Sequence, residues 1–403
     1  MSVSFSAARV DAEPKNVRRR RILVVPSEYP DLRDPLKVNG NWAEEQTRAI
    51  AAYYDITVVY PVLIKDRSNH IESLDYHGVR TLIVNYRHVR KTWLSPYVLA
   101  TWRGLRQVRA EMQPECIHAH GLYPAGFAAV LIGRTLGIPV VITEHWGQLK
   151  DRISDGLLYR TVLKFTLRRA TRVVAVSRFL ATEMRELEPR CNPDVVPNIV
   201  STLFQGAPQV NHYRKSDVAK LLFVGSIRDY RKGLDVLLRA MRVYLDLPNA
   251  RNCHLKVIGD GGRRAEFEDL AKRLGLHHNC TFLGNRSREE VAAEMAGCDL
   301  FVMPSKYETF GVVYAEAMAC GKPVVACLGG PAEEIVPSWA GRLVPVNDHV
   351  SLAQAMNHVI SHLEDYDQAR ISEYARREFG AEAVVSTIGK VYEQAIMARA
   401  AGK

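Results

Sequence analysis

Short apolar runs alternate with amphipathic stretches along this chain, and the alternation occurs twice, which limits the available folds more than any other feature. "RILVVP" leads to a helix near Trp42 to Tyr53; "DITVVYP", "VRTLIV", "ECIHAH", "IPVVITEH" and "TRVVAVS" follow, with helical stretches between the later ones. "KLLFVGS", "HLKVIGD", "CTFLG", "DLFVMP" and "PVVA" then alternate with helices near 233–246, 264–274, 288–296 and 311–320. This is the pattern of two doubly wound parallel α/β sheets. "VPNIVSTLFQGAPQVNHYRKSD" has no clear period, which places a linker near 196–217. A chain of 403 residues exceeds the size at which one core usually divides, and domains are expected at 1–198 and 199–382. The last helical run, "AEAVVSTIGKVYEQAIMARA", follows the second sheet; a helix at about 383–403 is expected to pack back on the first domain.

Composition removes several classes. No apolar run approaches the roughly 20 residues that span a bilayer. The stretch "MSVSFSAARVDAEPKNVRRRR" lacks the apolar segment of a signal peptide, so a cytoplasmic chain is expected. Seven cysteines stand singly with no C-x-x-C pair, which argues against a disulfide framework or structural zinc and for small core residues. The net charge of +10 is uneven: residues 1–200 hold 29 Lys+Arg against 20 Asp+Glu, and residues 201–403 hold 25 against 24. Such asymmetry suits a polyanion, an anionic membrane or an acidic ligand on the first half, or simply a solvated basic face.

Parallel α/β sheets bind ligands beyond the carboxyl ends of their strands, where helix N-termini offer unpaired N–H groups to anions. In the second half, "FVGSIRDYRKG" ends a strand at Gly225 and passes Ser226, Arg228, Arg231 and Lys232 before a helix, a loop suited to a diphosphate or an ordinary solvated turn. "VIGDGGRR", with Gly259, is a second glycine-rich turn without the full dinucleotide fingerprint. Phe310 and Gly311 open a third helix, and the N–H groups from Phe310 to Val312 are expected to aim at the same region. Glu316 falls on the buried side of that helix, where an unpaired carboxylate costs several kcal/mol. A vicinal diol donates two hydrogen bonds to one carboxylate, so with a diphosphate on the Arg and Lys loop Glu316 is placed for the ribose of the same nucleotide. Glu308 is then placed for a sugar on the distal phosphate.

These residues carry a resemblance. "ETFGVVYAEAMACGKPVVA" resembles the E-x7-E signature of retaining glycosyltransferases of family 4, which have the GT-B architecture of two Rossmann-like domains facing a cleft. The similarity extends to "FVGSIRDYRKGLDVLLRA", "VIGDGGRR", "VMPSKYETFG" and "GGPAEEIV", and more loosely to "ECIHAHGLYPAGFAAVLIGRTLGIPVVITEHWG", "VVAVSRFL" and "VPNI". It implies that Glu316 binds the donor ribose, Glu308 the transferred sugar and Lys232 the diphosphate, and that His145 faces the donor sugar across the cleft. Two positions depart from the pattern: Ser226 stands where Arg is usual, which turns attention to Arg228 or Arg231. Asn39, Gly40 and Asn41 stand at the glycine-rich acceptor loop. The implied reaction moves a sugar from a nucleoside diphosphate to an acceptor hydroxyl with retention, the departing diphosphate accepting the acceptor's proton, without cofactor or essential metal. His118 and His120 in "IHAHG" are candidate metal ligands by type, but they share one side of a strand end and are read in preference as structural or acceptor-side groups, with His120 toward the acceptor.

Other classes fit less well. An epimerase or phosphorylase leaves the E-x7-E context unexplained, a dehydrogenase lacks its fingerprint, and a nucleic-acid binder lacks interleaved aromatics despite Arg18 to Arg21. "RHVRKTWLSPYVLATWRGLRQVRAEMQ" places Trp93, Tyr97, Leu99 and Trp102 among Arg90, Lys91, Arg103, Arg106 and Arg109. It reads as a helix lying on an anionic membrane or as an ordinary domain helix. With the charge asymmetry and the family's frequent lipid-linked acceptors in cell-surface polysaccharide assembly, the expectation is a peripheral enzyme on the inner face of the plasma membrane that glycosylates a lipid-linked glycan. A soluble acceptor is the alternative.

Overall fold

The computed structural model describes residues 19–30, 41–64, 70–87, 94–146, 156–206, 218–248 and 250–401. The first sheet contains β1 (Arg21–Pro26), β2 (Asp55–Leu63), β3 (Ile71–Tyr76), β4 (Val79–Tyr86), β5 (Cys116–His120), β6 (Val140–Glu144), β7 (Arg172–Ala175) and β8 (Asp194–Val195), in the order β3-β4-β2-β1-β5-β6-β7-β8. All neighbours are parallel except β3 with β4. The second contains β9 (Val218–Val224), β10 (Asn252–Ile258), β11 (Cys280–Gly284), β12 (Leu300–Val302), β13 (Val324–Cys327) and β14 (Gly341–Val344), parallel throughout, in the order β11-β10-β9-β12-β13-β14. Strands covered by helices on both faces lose the alternation of a half-exposed sheet, which is why β1, β6 and β13 read as unbroken apolar runs.

Strand order reverses between β1 and β5 in one sheet and between β9 and β12 in the other. Chain leaving the carboxyl ends of these central strands diverges to opposite faces, opening the crevice in which such sheets bind ligands. Those ends carry the 225–232 and 303–311 loops on one side and His120 on the other. Contacts between the domains hold the two crevices against each other. Ser177 Oγ donates to Thr309 O at 2.6 Å, Tyr307 Oη to Glu183 Oε2 at 2.7 Å, and Glu334 accepts from the N–H groups of Arg178 and Phe179, both at 2.8 Å. The last contact caps a first-domain helix N-terminus with a second-domain carboxylate.

The chain crosses between domains twice, near 200 and near 380, and Val200 N–H donates to Phe379 O at 2.9 Å where the crossings meet. The helix Ala381–Ala401 then lies on the first domain, where Val384, Ile388 and Tyr392 pack with Ile22, Val24 and Val141. Arg20 pairs with Glu393 at 3.1 Å, and Tyr392 Oη lies 2.7 Å from His118 Nδ1.

Two elements differ from the sequence reading. The hairpin strand β3 was not legible in "IESLDY", whose residues are half or fully exposed at the sheet edge; the two-residue turn of His77 (φ 53°) and Gly78 (φ 80°) is its one signal. The helix Leu94–Glu111 turns its aromatic side inward: Tyr97 is buried and its hydroxyl donates to Pro26 O at 3.0 Å, and Trp102 packs against the core with Leu105 and Val108. Tyr97 is therefore not available to a headgroup layer, and Trp102 is half-buried. Leu99 is 60% exposed, with Arg106 and Arg109 on the surface. Arg90, Lys91 and Trp93 lie outside the described residues.

Tyr392→Phe leaves His118 Nδ1 without its partner in a dry site, which costs about 1–3 kcal/mol. Calorimetric scanning is expected to show a lower melting temperature for the first-domain transition.

Candidate active site

The 225–232 segment lines one side of a cleft of about 1030 Å³ between the domains, with Gly225, Ser226, Arg228, Arg231 and Lys232 on its wall. Gly259, at the end of β10, backs this segment so closely that a Cβ there would stand 2.0 Å from Gly225 O, at a φ of +134° that side-chain-bearing residues rarely adopt. Of the loop's cations, Arg231 is tied to Asp229 at 2.7 Å, whereas Arg228 is exposed and makes no ion pair among the described residues. Lys232 Nζ donates to Glu308 Oε1, which also accepts from Ser305 Oγ at 3.2 Å. The two residues expected to take different parts of a ligand are thus in contact with each other here.

Phe310, Gly311 and Val312 line the cleft where the helix Val312–Ala319 begins. Gly311 precedes it with a left-handed φ of +75°, and no side chain caps it, so its first N–H groups add positive potential at the wall. Glu316 stands on this helix, 2% exposed, among Ala315, Ala317 and Met318. Arg288 Nη2 lies 3.1 Å from Glu316 Oε1, but that oxygen has no aligned hydrogen bond. Burial pushes the Glu316 carboxyl up, and Arg288 pulls against the shift.

The facing wall carries a cluster of uncharged histidines. His120 Nδ1 and His145 Nε2 are 2.9 Å apart, His145 Nδ1 lies 2.9 Å from Asn198 Oδ1, and His118 Nε2 lies 2.8 Å from Thr143 Oγ1. Burial is the main cause that lowers these imidazoles, His118 to about 3, His145 to about 4 and His120 well below its usual value. His145 therefore lines the cleft as an uncharged ring with both nitrogens bonded, and its carbonyl accepts from Thr309 Oγ1 at 2.9 Å. His120 Nε2 is buried without a partner. The histidines bond one another, Thr143, Asn198 and Tyr392, and no group of three or more His, Cys, Asp or Glu among the described residues is placed to hold a metal. Asn39 and Gly40 lie outside the described residues; the chain resumes in the helix Asn41–Ala51, whose Trp42 and Glu45 line the cleft.

Two family models cover most of this chain: "Glycosyl transferases group 1" matches residues 209–378 and "Glycosyltransferase Family 4" residues 40–203. The chain is a glycosyltransferase of the family 4, GT-B type. It is 26% identical to an uncharacterized glycosyltransferase of Methanocaldococcus jannaschii over 82% of its own length and 91% of the relative's. It is 27% identical to the N-acetyl-alpha-D-glucosaminyl L-malate synthase of Bacillus anthracis over 74% and 79%. The fold matches that of Anabaena HepE, crystallised with UDP and glucose, with a TM-score of 0.71 and 21% identity over 93% of this chain and 100% of that one.

In this glycosyltransferase, Arg288, Asn198, Thr309 and Glu45 escaped the sequence reading. Arg288 carried a usable signal: it opens the helix Arg288–Gly297 directly after the Ser287 cap, and a cation there opposes the helix dipole unless a carboxylate faces it. Asn198 and Thr309 carried none, since their partners are distant in sequence. Gly259→Ala is expected to cost about 2 kcal/mol or more through the clash with Gly225 O and the backbone strain. The enzyme's thermal midpoint in the absence of ligand reads this directly.

Proposed function

We propose that this glycosyltransferase moves a sugar from a nucleoside-diphosphate donor to an acceptor hydroxyl with retention of anomeric configuration. The observation that carries the reading is Glu316, a buried carboxylate with an unaligned oxygen, on the same cleft wall as Lys232, Arg228 and two helix starts that no side chain caps. A ribose diol on Glu316 leaves the diphosphate over Gly225, Ser226, Arg228, Arg231 and Lys232, and the donor sugar at Glu308. The likeness to HepE, whose structure holds UDP and glucose, supports a donor of this class. The anomeric C–O bond breaks toward the diphosphate, the acceptor oxygen attacks from the same face, and its proton passes to the leaving phosphate oxygen. Catalysis then consists of positioning and of stabilising the departing charge by Lys232, Arg228 and the N–H groups near Gly311. No separate base is needed, in keeping with the neutral, fully bonded His145. On this reading the acceptor-side group among the described residues is His120, which acts through its contact with the cleft-lining His145.

The acceptor reading is a lipid-linked saccharide met at an anionic membrane. No described helix is long and apolar enough to cross a membrane. The helices Leu94–Glu111 and Leu157–Arg169 both pack on the helix Phe127–Leu136 and present exposed Leu99, Leu157 and Leu158 with Arg106, Arg109 and Arg160. Apolar tips among arginines suit the headgroup boundary. A small soluble acceptor is the second reading, favoured by the name of the Bacillus anthracis relative and by the inward aromatics of Leu94–Glu111.

Glu316→Ala is expected to weaken calorimetric binding of UDP, GDP or ADP, whichever the wild type binds, by about tenfold or more, as for loss of hydrogen bonds to a charged acceptor. Glu308→Gln is expected to keep that affinity and lose turnover; equal nucleotide binding by Glu316→Ala and wild type would remove the ribose assignment. In flotation with phosphatidylglycerol vesicles, wild type is expected to float at low salt and less as salt rises, and Leu157→Glu with Leu158→Glu to stay in solution. Wild type that does not float at low salt favours the soluble acceptor.

A further inference from the structure

One guanidinium touches both walls of the cleft. Arg288 Nη2 lies 3.1 Å from Glu316 Oε1 in the second domain and 3.7 Å from Glu45 Oε1 in the first. Phe204, on the segment joining the domains, closes the site, with its ring centroid 5.1 Å from Arg288 Cζ. Arg288 Nε and Glu316 Oε1 are both buried without an aligned hydrogen bond, so the pair is held chiefly by charge and packing. We propose that Arg288 is a positioning residue for the donor: it keeps the ribose-binding carboxylate of Glu316 ionised in a site nearly closed to water and ties that carboxylate to the first domain through Glu45. The proposal rests on Glu316 as the ribose acceptor.

The reason is the number of acceptor sites. A carboxylate offers two oxygens to a diol, whereas a protonated carboxyl turns one of them into a donor. Burial favours the protonated form and Glu45 adds to that, while Arg288 opposes both. These two are the charged groups that act on Glu316. The neighbouring thiol of Cys320 is pushed up to about 12 and neutral, and the buried Lys322 beside it acts on that thiol and is not among the charges acting on Glu316. The 202–204 turn contributes no titratable group. Glu334 on Ala332–Ile335 is engaged with Arg178 and Phe179. The packed helix Gln368–Phe379 turns its charges, such as Glu373 and Arg376, to solvent.

The test uses the whole enzyme, first without ligand. A carboxyl whose folded pKa stands above its unfolded value binds more protons in the fold, so its contribution is full at low pH and falls as pH rises toward the folded pKa. Arg288→Gln raises that folded pKa further. Its melting temperature is expected to fall more steeply than that of wild type between about pH 5 and about pH 8, a range above the carboxylate's ordinary value. Arg288→Lys is expected to restore the wild-type slope, and adding Glu316→Gln to Arg288→Gln to abolish the excess. UDP, GDP and ADP are then titrated by calorimetry. Near neutral pH Arg288→Gln is expected to bind the nucleotide that wild type binds about tenfold more weakly, recovering as pH rises, since below its pKa the ionised fraction of a carboxyl grows about tenfold with each step of one in pH. Equal melting slopes for Arg288→Gln and wild type overturn the proposal. If the slopes differ as expected while Glu316→Gln binds nucleotide as wild type does, it is the ribose reading that fails, and Arg288 is left as the charge partner alone.

Discussion

A carboxylate sealed into a wall that water barely reaches is the constraint on which the arrangement of this cleft depends. Glu316 lies on a helix of small residues, Ala315, Ala317 and Ala319, which lets neighbouring backbone close around it and strips its hydration. An isolated charge in that position costs several kcal/mol, and a single opposing charge recovers that only with good geometry. Arg288 supplies the charge without aligned hydrogen bonds, and Glu45 holds Arg288 from the other domain. One cation is therefore shared by two carboxylates across the domain boundary, and because Glu45 itself pushes the Glu316 carboxyl up, the separation of the domains and the state of that carboxyl are coupled.

The opposite wall follows different physics. His118, His120 and His145 are all buried and all held neutral by burial, so they contribute direction instead of charge. Tyr392, on the helix that returns from the far end of the chain, sets His118; the His118 and His120 rings lie 4.3 Å apart; His120 and Asn198 together fix His145. The returning helix thus supports the site as well as covering the sheet. The histidine cluster thus supplies fixed neutral donors and acceptors to a wall whose charge at the cleft lies on Glu45, which is paired with Arg288 of the other domain.

The sequence made the fold legible because both sheets are buried on two faces, so their strands survive as apolar runs such as "LLFV" and "VVIT" that need no partner to be recognised. Local backbone was legible too: the glycine turns at 225 and 259 meet, and Gly311 starts the helix that carries Glu316. What stayed hidden depends on distance along the chain. Nothing near Glu45 shows that it approaches Arg288, and nothing in "VPNI" shows that Asn198 orients His145. For Leu94–Glu111 the sequence left a membrane surface and the domain core both open, since helical period gives a face and not its neighbour; Tyr97, Leu105 and Val108 face the core, and Leu99 stays exposed. The hairpin β3 was obscured for the reverse reason, an exposed edge strand having no apolar run to show.

The contact between Lys232 and Glu308 bears on how a donor enters. Both side chains are partly withdrawn from water, and each satisfies the other. A diphosphate approaching Lys232 therefore exchanges one anion for another and does not meet a bare cation, which reduces the net gain from that residue. The exchange also frees Glu308, and a carboxylate that has lost its partner in such a place must find donors quickly. On the proposed reading, the hydroxyls of the transferred sugar are those donors, so the sugar offsets what the diphosphate costs Glu308. A nucleotide without its sugar leaves Glu308 short of partners, and a sugar without its diphosphate leaves the original ion pair in place. On that reading, preference for the intact donor over its separate halves follows from one ion pair shared between the two halves of its site.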